Sequence, residues 1–114
     1  MRERGEIWTA NLNPRRGTEP GKTRPVLIVQ AQSLNDADHP STLIVPLTTN
    51  LSDQAEPLRV RIKAQGQLER DSDLLIDQLR AIDNRFFMRG PLVRLDSTTM
   101  EKVSAALRGV LALE

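Results

Sequence analysis

The chain has 114 residues, with 16 Lys and Arg against 15 Asp and Glu for a formal net charge of +1, and no cysteine. That length suits a single compact domain over 1–114, and so even a balance of charge does not by itself announce a nucleic-acid partner. Without cysteine there is no disulfide framework, no thiolate metal site and no catalytic thiol, while "MRERGEIW" lacks the apolar stretch of a secretory signal and no run approaches the roughly 18 apolar residues of a spanning helix. The expectation is a soluble, cytoplasmic protein without a membrane partner.

Taken in chain order, the apolar residues come in short runs bounded by Pro, Gly, Asn and Asp, which predicts strands. "EIWTANL" alternates roughly. "PVLIVQA" and "TLIVPLT" are continuous apolar runs suited to buried strands, with a turn-like loop around "NDADHPS" between them. "LRVRIKA" alternates strictly, so Leu58, Val60 and Ile62 face one side and Arg59, Arg61 and Lys63 the other. "DLLIDQLRAI" is a fifth strand candidate and "GPLVRL" a sixth, with a possible helical turn at "DNRFF". After Arg94 the period changes. Met100, Val103, Leu107, Val110 and Leu111 recur at helical spacing, preceded by a capping box of Thr98 and Glu101 or by Asp96 or Ser97 as the cap. Gly109 weakens the last turn of that helix by about 1 kcal/mol relative to Ala. Five or six short strands and one closing helix in this length point to a mainly β, strongly bent small barrel.

Three features could carry chemistry. Arg24 precedes Pro25, which biases its backbone to the extended region and gives the guanidinium a fixed base at the root of a strand. Its loop brings Arg15, Arg16 and Lys22 around Glu19, and a loop ion pair between Arg24 and Glu19 is the structural alternative. "VPLTTN" ends a buried run with Thr48, Thr49 and Asn50, which are turn formers or, if they lie beside Arg24, hydrogen-bond donors to phosphate oxygens. The row Arg59, Arg61 and Lys63 reads as a solvated strand face or a backbone-phosphate track. Asp71, Asp73 and Asp77 read as surface and turn residues rather than a metal cage. His39 is the sole histidine, so a paired-histidine ribonuclease or a His/Cys zinc site is excluded, and there is no Gly-rich phosphate loop.

Five blocks in order, "RGEIWTANLNP", "GTEPGKTRPVLIV", "IVPLTTN", "LERDSDLLIDQLRAID" and "LDSTTMEKVSAALRGVLAL", resemble the MazF/PemK family of toxin endoribonucleases, nearly end to end. The resemblance implies an SH3-like barrel, a homodimer, cofactor-free and metal-independent cleavage of single-stranded RNA, and inhibition by a MazE-like antitoxin. It places the catalytic arginine of "G-x-x-R-P" on Arg24 and the catalytic threonine on Thr48, with Thr49 in reserve. The acidic loop residue falls on Glu19, and the strand motif on Asp77, Gln78, Leu79 and Arg80. "TEPG" stands where "SEQ-G" is commoner, so Pro20 stiffens the loop.

RNA contacts are then expected from Glu19, Lys22, Thr49, Asn50, Gln78 and Arg80. The general base is Arg24 itself on the resemblance, or Glu19. Trp8, Phe86 and Phe87 are the only aromatic residues, and Trp8 reads as core, so base recognition rests on polar edges. The rival class is a non-enzymatic toxin of the CcdB type that binds a DNA topoisomerase and has no need of an Arg24/Thr48 pair. A third is a small nucleic-acid-binding barrel using Arg59, Arg61 and Lys63.

Overall fold

In the computed structural model, which describes residues 2–13, 17–18 and 22–113, β1 (Glu6–Asn11) and β2 (Thr23–Ile28) are followed by a one-turn helix α1 (Gln32–Asp36) and the long β3 (Ser41–Thr48). Next come β4 (Arg59–Ile62), β5 (Ser72–Leu75), β6 (Arg80–Asp83), β7 (Phe87–Arg94) and the helix α2 (Ser97–Leu111). Among the described residues no helix is long and apolar enough to cross a membrane.

The strands form one antiparallel sheet in the order β4-β5-β3-β2-β1-β7, with β6 pairing the first half of β3. Among the described residues there are seven strands rather than the expected five or six, because the fifth candidate divides. A 3₁₀ turn over Ile76–Gln78 breaks "DLLIDQLRAI" into β5 and β6, letting β5 pair the end of β3 and β6 its beginning. The helical turn expected at "DNRFF" is present as a 3₁₀ turn over Asn84–Phe86, capped by the Asp83 carboxylate, which accepts from the Arg85 N–H at 2.9 Å. The short α1 was not foreseen, since five residues are too few to show a helical period.

The sheet curls until its ends meet. The tip of the β4–β5 hairpin returns to β7, where the Gln67 N–H donates to the Leu92 carbonyl at 2.9 Å. Gly66 makes this approach possible: its φ is +56°, and a Cβ there would lie 2.9 Å from the same carbonyl.

Inside the curl, Ile7, Leu27, Val45, Leu47, Val60, Ile62, Leu74 and Ile76 form the main core, closed by Val103 and Ala106 of α2. Each large aliphatic residue buried there contributes about 1.5–3 kcal/mol. The opposite face of β1, β2, β3 and β6 holds a second cluster of Ala10, Leu12, Val26, Ile28, Ile44 and Ile82, against which Trp8 and Phe87 pack, their two rings edge to face with centroids 6.2 Å apart. Trp8 is thus half-buried packing, close to its expected core role. Leu58 departs from its predicted inward face: it precedes β4 and is exposed.

For α2 the cap is Asp96, whose carboxylate accepts the Thr99 N–H at 2.8 Å, a bond that holds the carboxyl below the usual carboxylate range. The helix stops where Ala112 turns left-handed (φ 58°) and the Leu113 N–H closes onto the Arg108 carbonyl at 2.8 Å.

Candidate active site between β2 and β3

Alternation along β2 and β3 puts Val26 opposite Pro46, and carrying that register on by two residues sets Arg24 opposite Thr48. Directly opposed residues of an antiparallel pair point to the same face. The two side chains accordingly line one cleft of about 240 Å³, together with Thr49, Leu47 and Ser72. Pro25 keeps the Arg24 backbone in the strand, and the guanidinium Nη1 donates to the Leu47 carbonyl at 3.2 Å, which pins the side chain across β3. The Thr48 hydroxyl accepts the Asn50 N–H at 3.1 Å. That bond uses an oxygen lone pair and not the O–H, so the hydroxyl keeps its capacity to donate. A planar, permanently charged fork and a hydroxyl donor thus converge from two neighbouring strands, a donor set suited to an oxyanion.

The row continues across the sheet. Thr48 stands opposite Asp73 on β5, and Asp73 stands opposite Arg61 on β4. Asp73 is 1% exposed, contrary to its reading as a surface and turn residue. Its carboxylate accepts from Arg61 Nε at 2.5 Å, Arg59 Nη1 at 3.2 Å and the Ser52 N–H at 2.9 Å. Burial pushes this carboxyl up, but the bonds from Arg61, Ser52 and Arg59 together outweigh it and hold it below the usual carboxylate range. Arg61 and Lys63 are exposed, as a solvated strand face requires, but Arg61 and the half-buried Arg59 are also tied back onto Asp73.

The other predicted RNA contacts that the structure describes fall on several elements. Thr49 and Asn50 follow Thr48 and are exposed. Lys22 enters β2 with φ 64° and an exposed side chain, its N–H donating to Asn13 Oδ1 at 2.6 Å. Arg80 stands opposite Ile44, four residues before Thr48 and on the same face, roughly 13 Å along the strand. Gln78 closes the 3₁₀ turn just before it. The structure thus brings Arg24, Thr48 and Thr49 together in the cleft and sets Gln78 and Arg80 apart from it. Glu19, Arg15 and Arg16 lie outside the described residues. Ser72, which lines the cleft, and Asp73 were not foreseen, because nothing in a strand's own period tells which neighbour it will meet.

The sequence pattern described as a PemK-like, MazF-like toxin of type II toxin-antitoxin systems matches residues 3–111. The chain belongs to that toxin family. It is similar to Endoribonuclease EndoA of Bacillus subtilis (strain 168), at 34% identity over 112 residues covering 97% of this chain and 95% of the relative. Among solved structures it is similar to MazF (Form-I) from Deinococcus radiodurans, with a TM-score of 0.81 at 21% identity over 98% of this chain and 97% of that one. It is also similar to an endoribonuclease from Mycobacterial species in complex with its cognate antitoxin, with a TM-score of 0.77 at 20% identity over 100% and 98%. At those identities the structural likeness establishes the fold of a MazF-like toxin, and the bent β sheet with its C-terminal helix agrees with it.

Proposed function

We propose that this chain, a MazF-type toxin endoribonuclease, cuts single-stranded RNA at short specific sequences by using the RNA's own 2′-hydroxyl as the nucleophile. The observation that carries the reading is the convergence of Arg24 and Thr48 on one cleft. A bond forms between O2′ and the adjacent phosphorus while the bond from phosphorus to O5′ breaks; the 2′-hydroxyl loses its proton and the departing 5′ oxygen gains one. The products are a 2′,3′-cyclic phosphate and a 5′-hydroxyl. The protein's part is to hold the oxygens in line and to stabilise charge on the phosphoryl oxygens, so the mechanism calls for no metal. Arg24 grips two of those oxygens with its planar donors, and the Thr48 O–H donates to the same developing charge.

The test is incubation of the pure protein with a mixed RNA pool in EDTA, followed by analysis of the ends. Unchanged cutting with cyclic-phosphate ends is expected. Cleavage that stops with chelator, or that leaves 5′-phosphates, would overturn the mechanism.

The inhibitor we propose is a MazE-like antitoxin whose acidic tail orders itself over the 17–23 loop, in keeping with the antitoxin-bound mycobacterial neighbour. Lys22 and Arg24 attract carboxylates as well as phosphates there. Titrating that tail into protein saturated with uncleavable RNA should displace the RNA, and more weakly as salt rises. Simultaneous full occupancy by both ligands would show that they do not share a surface.

A further inference from the structure

We propose that Asp73 is a positioning residue for RNA cleavage: together with Arg59 it fixes the turn that leaves β3 and thereby sets the orientation in which Thr48 meets the substrate. The proposal rests on the assignment of Thr48 to the chemistry.

The argument begins with an expense. A carboxylate with 1% exposure in the middle of a strand loses its hydration, and even a well-paired buried ion pair seldom stabilises a fold better than apolar residues of the same volume. Stability alone is a weak reason for Asp73 to be there. What the carboxylate does hold is specific. Its three donors come from β4, through Arg59 and Arg61, and from Ser52 in the turn that begins immediately after Thr48.

Each partner then extends the hold into that turn. Arg59 Nη1, while on Asp73, also donates to the Asn50 carbonyl at 2.8 Å. Arg61 Nη2 reaches the Asp53 carboxylate at 2.8 Å. The turn is thus anchored at Asn50, Ser52 and Asp53 by a single cluster centred on Asp73. Its remaining bond, from the Asn50 N–H to Thr48 Oγ1, fixes the orientation of the hydroxyl. Because Asp73 lies directly opposite Thr48 in the sheet, the anchor and the anchored residue share one face and one register. Displacing a donor by about 1 Å is enough to cost roughly a hundredfold in rate, so a turn left to its own flexibility would be a poor platform.

The experiment compares steady-state cleavage of a labelled RNA, with kcat and KM resolved, by the full chain and by Asp73→Asn, Thr48→Val, their double variant, and Arg59→Ala. Asp73→Asn keeps the shape and removes the charge; its kcat should fall on the order of 10- to 100-fold with KM within about threefold. In the Thr48→Val background the same change should have little further effect, within about twofold, because the residue acts through Thr48. A merely structural role would multiply independently of Thr48, so the full loss appearing again in the double variant would overturn the proposal, as would a wild-type kcat for Asp73→Asn. A wild-type rate for Thr48→Val alone would instead remove the assignment on which the proposal stands.

Should Asp73→Asn fail to fold, Arg59→Ala decides. It leaves the Asp73 bonds to Arg61 and Ser52 in place and frees the Asn50 carbonyl, and a loss in kcat at unchanged KM and unchanged salt dependence is expected. A raised KM with a shallower salt slope would mark Arg59 as a phosphate contact and overturn the positioning role.

Discussion

Replacing Arg24 with lysine is expected to lower RNA cleavage by a factor on the order of 100 to 1,000 while leaving affinity for an uncleavable RNA within about tenfold. Charge is conserved, so the long-range attraction to the backbone survives. Geometry is not. In the native chain Nη1 is engaged with the Leu47 carbonyl, and the rigid plane of the guanidinium carries that restraint to its other donors. An ammonium group on a flexible stem has no such plane and cannot hold a carbonyl of β3 and two phosphoryl oxygens in one arrangement. Interactions that matter only at the transition state are then lost, and removal of a preorganised oxyanion donor typically costs about 3–4 kcal/mol. Single-turnover cleavage and fluorescence anisotropy on the same RNA measure the two quantities. Wild-type turnover by the lysine variant would take Arg24 out of the chemistry.

The second large effect concerns the fold that supports the cleft. Gly90 on β7 lies so close to Trp8 on β1 that a Cβ at this position would fall 2.4 Å from Cδ2 of the indole and 2.6 Å from Cγ. The ring has little room to retreat. Its edge-to-face partner Phe87 holds one side, and its Nε1 donates to Oε1 of the buried Glu6 at 3.0 Å. Glu6 Oε2 in turn accepts from Arg94 at 3.0 Å. Gly90→Ala must therefore move the indole and disturb a buried carboxylate with it.

An expected loss of about 3 kcal/mol follows, near the upper end for overpacking, and it should appear as a lower urea midpoint with an unchanged slope. At Gly109 the same substitution should have the opposite sign. There the new Cβ meets Pro57 at an ordinary 3.6 Å, and the gain is the helix propensity of alanine over glycine, about 1 kcal/mol. A wild-type midpoint for Gly90→Ala would contradict the packing of β1 on β7.

Read alone, the residues determined a good deal. Alternation in "LRVRIKA", the apolar runs on either side of "NDADHPS" and the change of period after Arg94 sufficed for the strands of β2, β3 and β4 and for α2. These signals are local: they depend on which faces of one element are apolar. Arg24 before Pro25 likewise announced an extended arginine at a strand root, and the five ordered blocks pointed to the toxin family to which the chain belongs.

Only the tertiary structure decided which residues meet. A period shows the face a side chain takes and not the strand that will lie beside it, so the convergence of Arg24 and Thr48 came from the β2–β3 register. The burial of Asp73 had the same origin: its donors lie 12, 14 and 21 residues away in the chain, on a different strand and a turn. An aspartate surrounded by solvent and one surrounded by two guanidinium groups have the same neighbours in sequence. The interruption of "DLLIDQLRAI" was equally hidden, because its 3₁₀ turn exists to let two short strands share the single edge of β3. Burial and hydrogen bonding of this kind are properties of pairs brought together by folding, and no one segment contains both members.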